Sequence, residues 1–275
     1  MKHLVISILL GTCSCLSWAG LLVTDLAGKV EIDGRKPLAV LGEIPDGARL
    51  TLATGARLVV VDLSTGKEFL LNGQGQYLVE KNGLQVIKGP PVESKALPVG
   101  NLPEVRIATG RVAQATLVMR GIRKVNVPIP LSPVRTAVLT TTPTLRWLPV
   151  EGATSYRVIV LDDQSAKVYE ATAAGNEVAL QSSAGLIAGR YYSWRIEALS
   201  SQGRFADAST VFSVVPEERA KQLAQIKPED GAPYSRRILY AAQLQEAGAL
   251  EEAKLIWHAL AVERPEDATL KELAE

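Results

Sequence analysis

The stretch "GRYYSWRIEALSSQG", residues 189–203, places two tyrosines and a tryptophan within four positions of a chain that has few aromatic residues. Successive side chains of a β-strand point to opposite faces. Tyr192, Trp194 and Ile196 therefore share one face of the predicted strand. Tyr191 lies on the other face. We predict that the first face belongs to a core and that Tyr191 is left at the surface.

The sequence around this strand, residues 133–215, predicts a β unit of about the size of an immunoglobulin-like sandwich. Short apolar runs follow one another at intervals separated by turn residues, namely "TLRWLPV", "SYRVIVLD", "KVYEATA", "NEVALQ" and "DASTVFSVV". In the first run, alternation places Leu145 and Trp147 on one face. We expect them to pack against Tyr192 and Trp194 across the two sheets.

An earlier β unit is predicted over residues 20–89. Its short runs of Val, Leu and Ile are separated by glycine-containing pairs that accept positive φ in hairpin turns, such as "PDG", "STG" and "NG". Residues 90–132 begin with the proline-rich "PPVESKALPVGNLP", which predicts an extended linker or a surface strap. Further strands follow over residues 104–130, and the sequence leaves open which β unit they join.

The hydrophobic period changes to that of helices over residues 216–275. A first helix is predicted to start at Pro216, where a missing N–H costs nothing, and to stop before Pro228. Two more helices, "YSRRILYAAQLQEAG" and "ALEEAKLIWHALAVERP", are joined at Gly248, and "EDATLKELAE" begins another. The predicted fold class is therefore mainly β, with a C-terminal α-helical segment.

Residues 1–19 have the pattern of a secretory signal peptide. Lys2 is followed by the apolar "LVISILLGTCSCL", and small residues precede a predicted cleavage after Ala19. The mature protein is then expected to be periplasmic or secreted, without cysteine and so without disulfides. The alternative is a lipoprotein signal, in which Cys13 or Cys15 carries the lipid.

Composition and net charge exclude some classes of partner. Of the 275 residues, 47% are hydrophobic and 21% are charged, a balance typical of a chain that folds. The formal net charge of +1 gives no long-range field to attract nucleic acid or an anionic membrane. No segment after the leader has the length and apolarity of a membrane helix. We therefore expect neither a nucleic-acid partner nor an integral membrane protein.

Residues able to carry chemistry are few. Beyond the leader the chain has one histidine, His258, and no cysteine, which excludes a thiol nucleophile and a zinc site built from histidine and cysteine. In "STGK", Ser64 and Lys67 have the spacing of a catalytic serine and lysine, but that pair needs a helix start. Because this stretch lies between two predicted strands, we interpret it as a hairpin turn. We predict no cofactor and no metal.

Two pairs of neighbouring acids are the remaining candidates for catalysis. Asp162 and Asp163 lie at the end of a predicted strand, where neighbouring side chains point to opposite faces. Glu217 and Glu218 follow Pro216 and fit the first turn of a helix. We predict that the protein is not an enzyme. The less favoured alternative is a hydrolase with two convergent carboxylates.

The stretch from Ala27 to Gly89 resembles the periplasmic FecR-type domain. The resemblance rests on "GKVEIDG", "GEIPDGARLTLATGARLVVVDLSTGKEFLL" and "GQYLVEKNGLQV". Such domains relay signals across the cell envelope in iron-transport regulators. The resemblance therefore implies a β domain with an envelope role.

The second β unit is similar to fibronectin type III domains. The similarity rests on "LRWLPVEGATSYRVIV" and on "LIAGRYYSWRIEAL", where Leu186 precedes Tyr192 by the six residues that separate that family's leucine from its corner tyrosine. Ala188 and Arg190 depart from the usual proline and threonine. The family fold is a scaffold and implies no activity.

The stretch from Tyr234 to Glu266 resembles one tetratricopeptide repeat. The positions on that motif's spacing are Ala241, Leu244, Gly248, Ala253, Trp257 and Pro265. About three repeats are normally needed for such an array to fold alone. We therefore expect this segment to dock on the sandwich or to stack on another chain.

These observations predict a non-enzymatic, exported cell-envelope protein that acts as a protein-binding scaffold or as an envelope signalling or assembly module. The candidate partner-binding residues are Tyr191, Trp257 and His258, and the partner is an envelope protein that the sequence does not identify. The alternative is glycan or peptidoglycan recognition, which requires Tyr191, Tyr77 and Trp257 to be exposed and clustered.

Overall fold

The computed structural model describes residues 20–97, except residues 35 and 82, and residues 126–275. The predicted signal peptide, with Cys13 and Cys15, lies outside these described residues, and so do residues 98–125 of the predicted linker. Where it is described, the chain is mainly β and ends in four helices. This confirms the predicted fold class.

The first ten strands form a β-sandwich. They are β1 (Gly20–Ala27), β2 (Val30–Ile32), β3 (Lys36–Pro37), β4 (Glu43–Pro45), β5 (Arg49–Leu52), β6 (Arg57–Asp62), β7 (Lys67–Asn72), β8 (Gly75–Glu80), β9 (Gly83–Lys88) and β10 (Glu93–Ala96). One sheet has the order β10-β7-β6-β1-β4 and the other the order β3-β2-β5-β8-β9. Apolar side chains of both sheets, among them Leu50, Leu58 and Tyr77, form the core between them.

The turn between β6 and β7 contains the "STGK" stretch. Asp62 pairs with Lys67 across the hairpin, and its carboxylate accepts hydrogen bonds from the backbone N–H and hydroxyl groups of Ser64 and Thr65 at 2.6 to 3.3 Å. Burial raises the pKa of Asp62, but these hydrogen bonds together outweigh it and hold the pKa below its ordinary value. The hairpin interpretation is therefore confirmed.

Eight further strands form a second β-sandwich. They are β11 (Ile129–Ser132), β12 (Thr136–Val138), β13 (Thr144–Leu148), β14 (Ser155–Asp162), β15 (Lys167–Ala173), β16 (Glu177–Ala179), β17 (Tyr191–Ser200) and β18 (Gly203–Val214). The sheet β11-β13-β16 faces the sheet β12-β18-β17-β14-β15. Because β11 pairs with β13, the end of the segment over residues 104–130 joins this second sandwich.

Aromatic rings fill the core of the second sandwich. Trp147 and Trp194 have ring centroids 6.5 Å apart, which confirms the predicted contact across the sheets. The ring of Tyr156 meets Trp147 edge-on at 5.4 Å. Tyr192 stacks on Phe212 of the adjacent strand at 5.5 Å. Of the three aromatic rings in residues 189–203, Tyr192 and Trp194 are therefore core residues and Tyr191 is not.

The hydroxyl of Tyr192 fixes the connection into β17. It accepts a hydrogen bond from the backbone N–H of Ile187 at 2.8 Å, while Leu186 is buried beside it. A tyrosine that bonds back to the preceding loop in this way is the tyrosine corner of immunoglobulin-like sandwiches. Leu186 and Tyr192 therefore lie where the resemblance to fibronectin type III domains placed the leucine and the corner tyrosine.

Four helices follow the second sandwich. They are α1 (Glu217–Ile226), α2 (Tyr234–Glu246), α3 (Leu250–Glu263) and α4 (Ala268–Ala274). The first helix begins after Pro216 and ends before Pro228, as predicted. Gly248 joins α2 to α3 with a φ of +78°, a left-handed conformation that glycine adopts without strain. No helix among the described residues is long and apolar enough to cross a membrane.

The helices share a third core with both sandwiches. Leu22 of β1 and Val61 of β6 face away from the core of the first sandwich and pack against the helices. Ala137 of β12 and Val215, which follows β18, contribute from the second sandwich. The helical segment therefore docks within its own chain, on both β units. It is a part of the fold and not an appendage.

Buried polar contacts reinforce the docking on the first sandwich. The carboxylate of Asp25 on β1, which is 3% exposed, contacts the guanidinium groups of Arg57 at 3.3 Å and Arg264 at 3.4 Å. The hydroxyl of Ser235, in the first turn of α2, donates a hydrogen bond to the buried carboxylate of Glu68 on β7. The start of α2 and the end of α3 are thus both bonded to the sheet β10-β7-β6-β1-β4.

Candidate protein-docking groove

The three residues predicted to bind a partner lie in different environments. Tyr191 is 71% exposed, and His258 is exposed on α3. Trp257 is 1% exposed, and its indole N–H donates a hydrogen bond to the side-chain oxygen of Gln245 at 2.9 Å. The prediction that Trp257 lies at a binding surface is therefore wrong. Its ring belongs to the inward face of α3, where it fills the third core.

The rings that would support glycan recognition do not form a platform. Tyr77 is fully buried in the first sandwich, where its hydroxyl donates to the carbonyl oxygen of Pro90 at 3.2 Å. Trp257 is buried in the third core, so Tyr191 alone is exposed. Sugar platforms need accessible ring faces. The described residues therefore do not meet the condition on which the glycan alternative rested.

An apolar groove lies where the second sandwich meets α3. It has a volume of about 350 Å³ and is lined by Leu131, Glu251, Lys254, Leu255 and His258. Leu131 is 48% exposed and Leu255 is 73% exposed, so large apolar side chains form both walls. The two leucines form a small contiguous apolar surface, unlike a single scattered surface leucine. His258 is thus the predicted site residue that the groove includes.

The sequence of α3 produces this surface because the helix has two apolar faces. Ala253, Trp257 and Leu260 recur at helical spacing and are buried in the third core. Leu255 and Val262 are a further apolar pair, one heptad apart, and both are largely exposed. A helix that is apolar on two sides has one face left for another partner.

The opposite wall continues along strand β11. Ile129 of β11 lies directly opposite Leu148 of β13, and the two side chains are 52% and 45% exposed. Among the described strands, β11 pairs with β13 alone and is an edge of its sheet. Pro130 in this strand has no N–H to donate, so pairing with an added strand is disfavoured. This edge therefore presents side chains for contact more than backbone groups for pairing.

Glu251, which lines the groove, bonds α3 to the second sandwich, a contact that no sequence motif predicted. The carboxylate of Glu251 accepts hydrogen bonds from the hydroxyl of Ser132 at 2.6 Å and the N–H of Val134 at 2.7 Å. The sequence contains one indirect sign of this contact. The turn "AGAL" before α3 has no Ser, Thr, Asp or Asn to cap the helix, which indicates that another segment supplies the cap.

The acids considered for catalysis have structural partners. The carboxylate of Asp162 accepts hydrogen bonds from two backbone N–H groups of its own turn at 3.0 and 2.8 Å. Glu217 pairs with Lys221 at 2.9 Å, and the hydrogen bond and charge of Lys221 lower the pKa of Glu217. Over the described ranges, no three His, Cys, Asp or Glu side chains are grouped as metal ligands. Of the five groove residues, one is an acid, Glu251.

The fold and the groove together define the class of protein. This is a mainly β protein in which two β-sandwiches, the second immunoglobulin-like in strand order and tyrosine corner, are joined through a C-terminal helical segment.

Comparison with known proteins gives structural neighbours that each cover part of the chain. No protein-family model matches the chain, and no curated protein matches it. The twitchin kinase region from C. elegans (Fn31-NL-kin-CRD-Ig26) is 22% identical, with 32% of this chain and 16% of that chain covered and a TM-score of 0.26. The structure described as "FN3tt mut" is 19% identical, with 32% of this chain and 96% of that chain covered and a TM-score of 0.26. Both neighbours contain fibronectin type III modules.

Proposed function

We propose that this is a non-enzymatic, exported cell-envelope protein that acts as a protein-binding scaffold. The single observation that carries the proposal is the groove between β11 and α3, whose leucine walls are exposed although the same helix is fully packed on its other side. A scaffold needs a preformed, rigid surface with apolar anchors more than it needs reactive groups. The engaged acids Asp162 and Glu217 support the same proposal.

The envelope role rests on the sequence resemblances. The similarity of the first sandwich to FecR-type domains supports a place in envelope signalling or assembly, and the predicted cleavage after Ala19 supports a periplasmic or secreted location. The similarity of α2 and α3 to a tetratricopeptide repeat supports protein recognition by helices.

The partner that fits the groove is a short apolar segment of another protein. A volume of about 350 Å³ accommodates one or two large side chains and not a folded domain. Lys254 is exposed on the rim, where its ammonium donates to the backbone oxygen of Glu275, and an acidic residue beside the apolar anchor would compete for that ammonium. We therefore propose an apolar peptide segment with an acidic flank as the ligand.

Site-specific cross-linking in the producing cell tests this proposal. A photo-reactive amino acid at Leu255 is expected to capture one envelope protein, whereas the same group at Val86, an exposed apolar position of the first sandwich that does not line the groove, is not. Deleting residues 217–275 is unsuitable as a test because it would uncover the third core. Point variants keep that core intact.

The captured protein is then purified and its affinity for the full chain is measured. Leu255→Glu is expected to weaken binding by about tenfold or more, since an apolar anchor is replaced by a charge. Lys254→Glu is expected to weaken it less and to reduce its salt dependence. Equal binding by Leu255→Glu and the control Val86→Glu would contradict a docking role for the groove.

A further inference from the structure

The first turn of α3 is capped by a residue from the second sandwich. Ala249, at the cap position of the helix, has no side-chain acceptor. The hydroxyl oxygen of Thr136 on β12 accepts the N–H groups of Leu250 at 2.9 Å and Glu251 at 3.4 Å. The N–H of Leu250 is shared with the carbonyl oxygen of Gly248, also at 2.9 Å, whereas the N–H of Glu251 relies on Thr136 as its acceptor among the described residues. In sequence Thr136 lies more than a hundred residues away.

Glu251 completes the same arrangement from the helix side. Its carboxylate accepts hydrogen bonds from the N–H of Val134 and the hydroxyl of Ser132. Both residues lie just before the capping threonine in the sequence. In an ordinary capping box, a Ser or Thr caps the helix while a Glu of the first turn returns a hydrogen bond to the capping segment. Here the two halves of the box come from different parts of the fold.

The capping segment is itself fixed to the second sandwich. The indole N–H of Trp194, in the core of that sandwich, donates to the carbonyl oxygen of Pro133 at 2.9 Å. The N–H of Ala137 donates to the carbonyl oxygen of Gly248 at 2.8 Å, so the backbone also joins the two parts. Thr136 is 4% exposed and out of reach of any docked partner.

We propose that this reciprocal cap is a joint that sets the width of the groove, with Thr136 as its positioning residue. Leu131, in the β11 wall, directly precedes Ser132 of the joint, and Leu255, in the α3 wall, lies one helical turn beyond Glu251. Loss of the cap therefore lets the two walls separate. The consequence for partner capture rests on the proposed function, but the joint itself does not.

Amide hydrogen exchange of the full chain tests the joint without any partner. Thr136→Val keeps the shape of the side chain and removes the hydroxyl that caps Glu251 and contacts Gly248, so exchange at Ala137 and Glu251 is expected to be roughly fivefold faster. Thr136→Ser keeps the acceptor and is expected to exchange at the wild-type rate. Thr140→Val, at an exposed threonine, is the matched control. An unchanged rate in Thr136→Val would overturn the proposal.

Distance measurement provides the second readout. Spin labels at Ala179 on β16 and Ala259 on α3, two exposed positions, report the separation of the two walls in a chain with Cys13 and Cys15 replaced by serine. A narrow distribution is expected for the wild type and for Thr136→Ser, and a broader or longer one for Thr136→Val. Faster exchange with an unchanged distance distribution would show a local cap that does not set the groove, and would also overturn the proposal.

These outcomes separate the joint from the proposed function. If Thr136→Val widens the groove but Leu255→Glu leaves partner affinity unchanged, the joint stands and the docking role fails. If Leu255→Glu abolishes binding while the wall distance is insensitive to Thr136→Val, the docking role stands and the joint fails.

Discussion

Truncation of Leu22 measures how firmly the helices are attached to the first sandwich. Leu22 is 1% exposed, yet its side chain points away from that sandwich's own core and into the helices. Burial on this second side comes from the third core, in which α2 contacts β1. If the helices stay docked, Leu22→Ala removes a fully buried side chain and is expected to cost about 2–5 kcal/mol. If they detach readily, the cost falls to about 0.5 kcal/mol, as for a surface position.

Urea unfolding of the full chain, followed by circular dichroism, gives this free energy. Leu21→Ala is the matched internal control, because Leu21 is adjacent on the same strand but lies in the first sandwich's core. Val86→Ala, at a 40% exposed position, is the surface control. A loss for Leu22→Ala that matches Val86→Ala would refute the docked arrangement. A loss near that of Leu21→Ala would support it.

Two further predictions concern single buried groups. Tyr192→Phe leaves the N–H of Ile187 without its acceptor and is expected to lower the free energy of unfolding by about 1–3 kcal/mol, whereas Tyr191→Phe leaves it unchanged in thermal melts. Burial raises the pKa of Glu252, so its contribution to stability is present at low pH and is lost as the pH rises through the folded-state pKa. Glu252→Gln is therefore expected to stabilise the protein near pH 7 and to lose this advantage near pH 4 in urea titrations.

Strands with one buried face were predictable from alternation, whereas β1 was not. The predicted runs over β5, β8 and β13 to β18 coincide with strands in which most buried side chains recur at every second position, whereas β6 was predicted from its run of Leu and Val between turns although five consecutive residues are buried. In β1, "GLLVTDLA", five consecutive residues are buried because a core lies on each side of the sheet. Continuous burial removes the alternating signal.

Trp257 shows how a repeat motif can be misread. Its place on the tetratricopeptide spacing is a packing position, so the same pattern that indicated the helix pair also indicated burial. Treating the ring as a surface anchor ignored that consequence. His258, one position along the helix, points outward because one residue advances the helix face by about 100°.

The groove itself could not be predicted from the sequence. Its walls, Leu131 and Leu255, lie on two elements that are more than a hundred residues apart and are brought together by tertiary packing. Neither position has a local pattern that distinguishes it from an ordinary exposed leucine. The missing cap before α3 was the one local sign that the helix start meets another part of the chain.

The third core explains why a helical segment of this length is stable here. One helix pair with a short following helix buries too little apolar surface to fold alone, which is why repeat arrays need several copies. In this chain the outer face of the first sandwich, at Leu22 and Val61, covers one side of the helices. Thr136 and Glu251 secure the helix start on the other. The outward face of α3 is what this docking leaves uncovered, so the groove is a consequence of how the helices are stabilised.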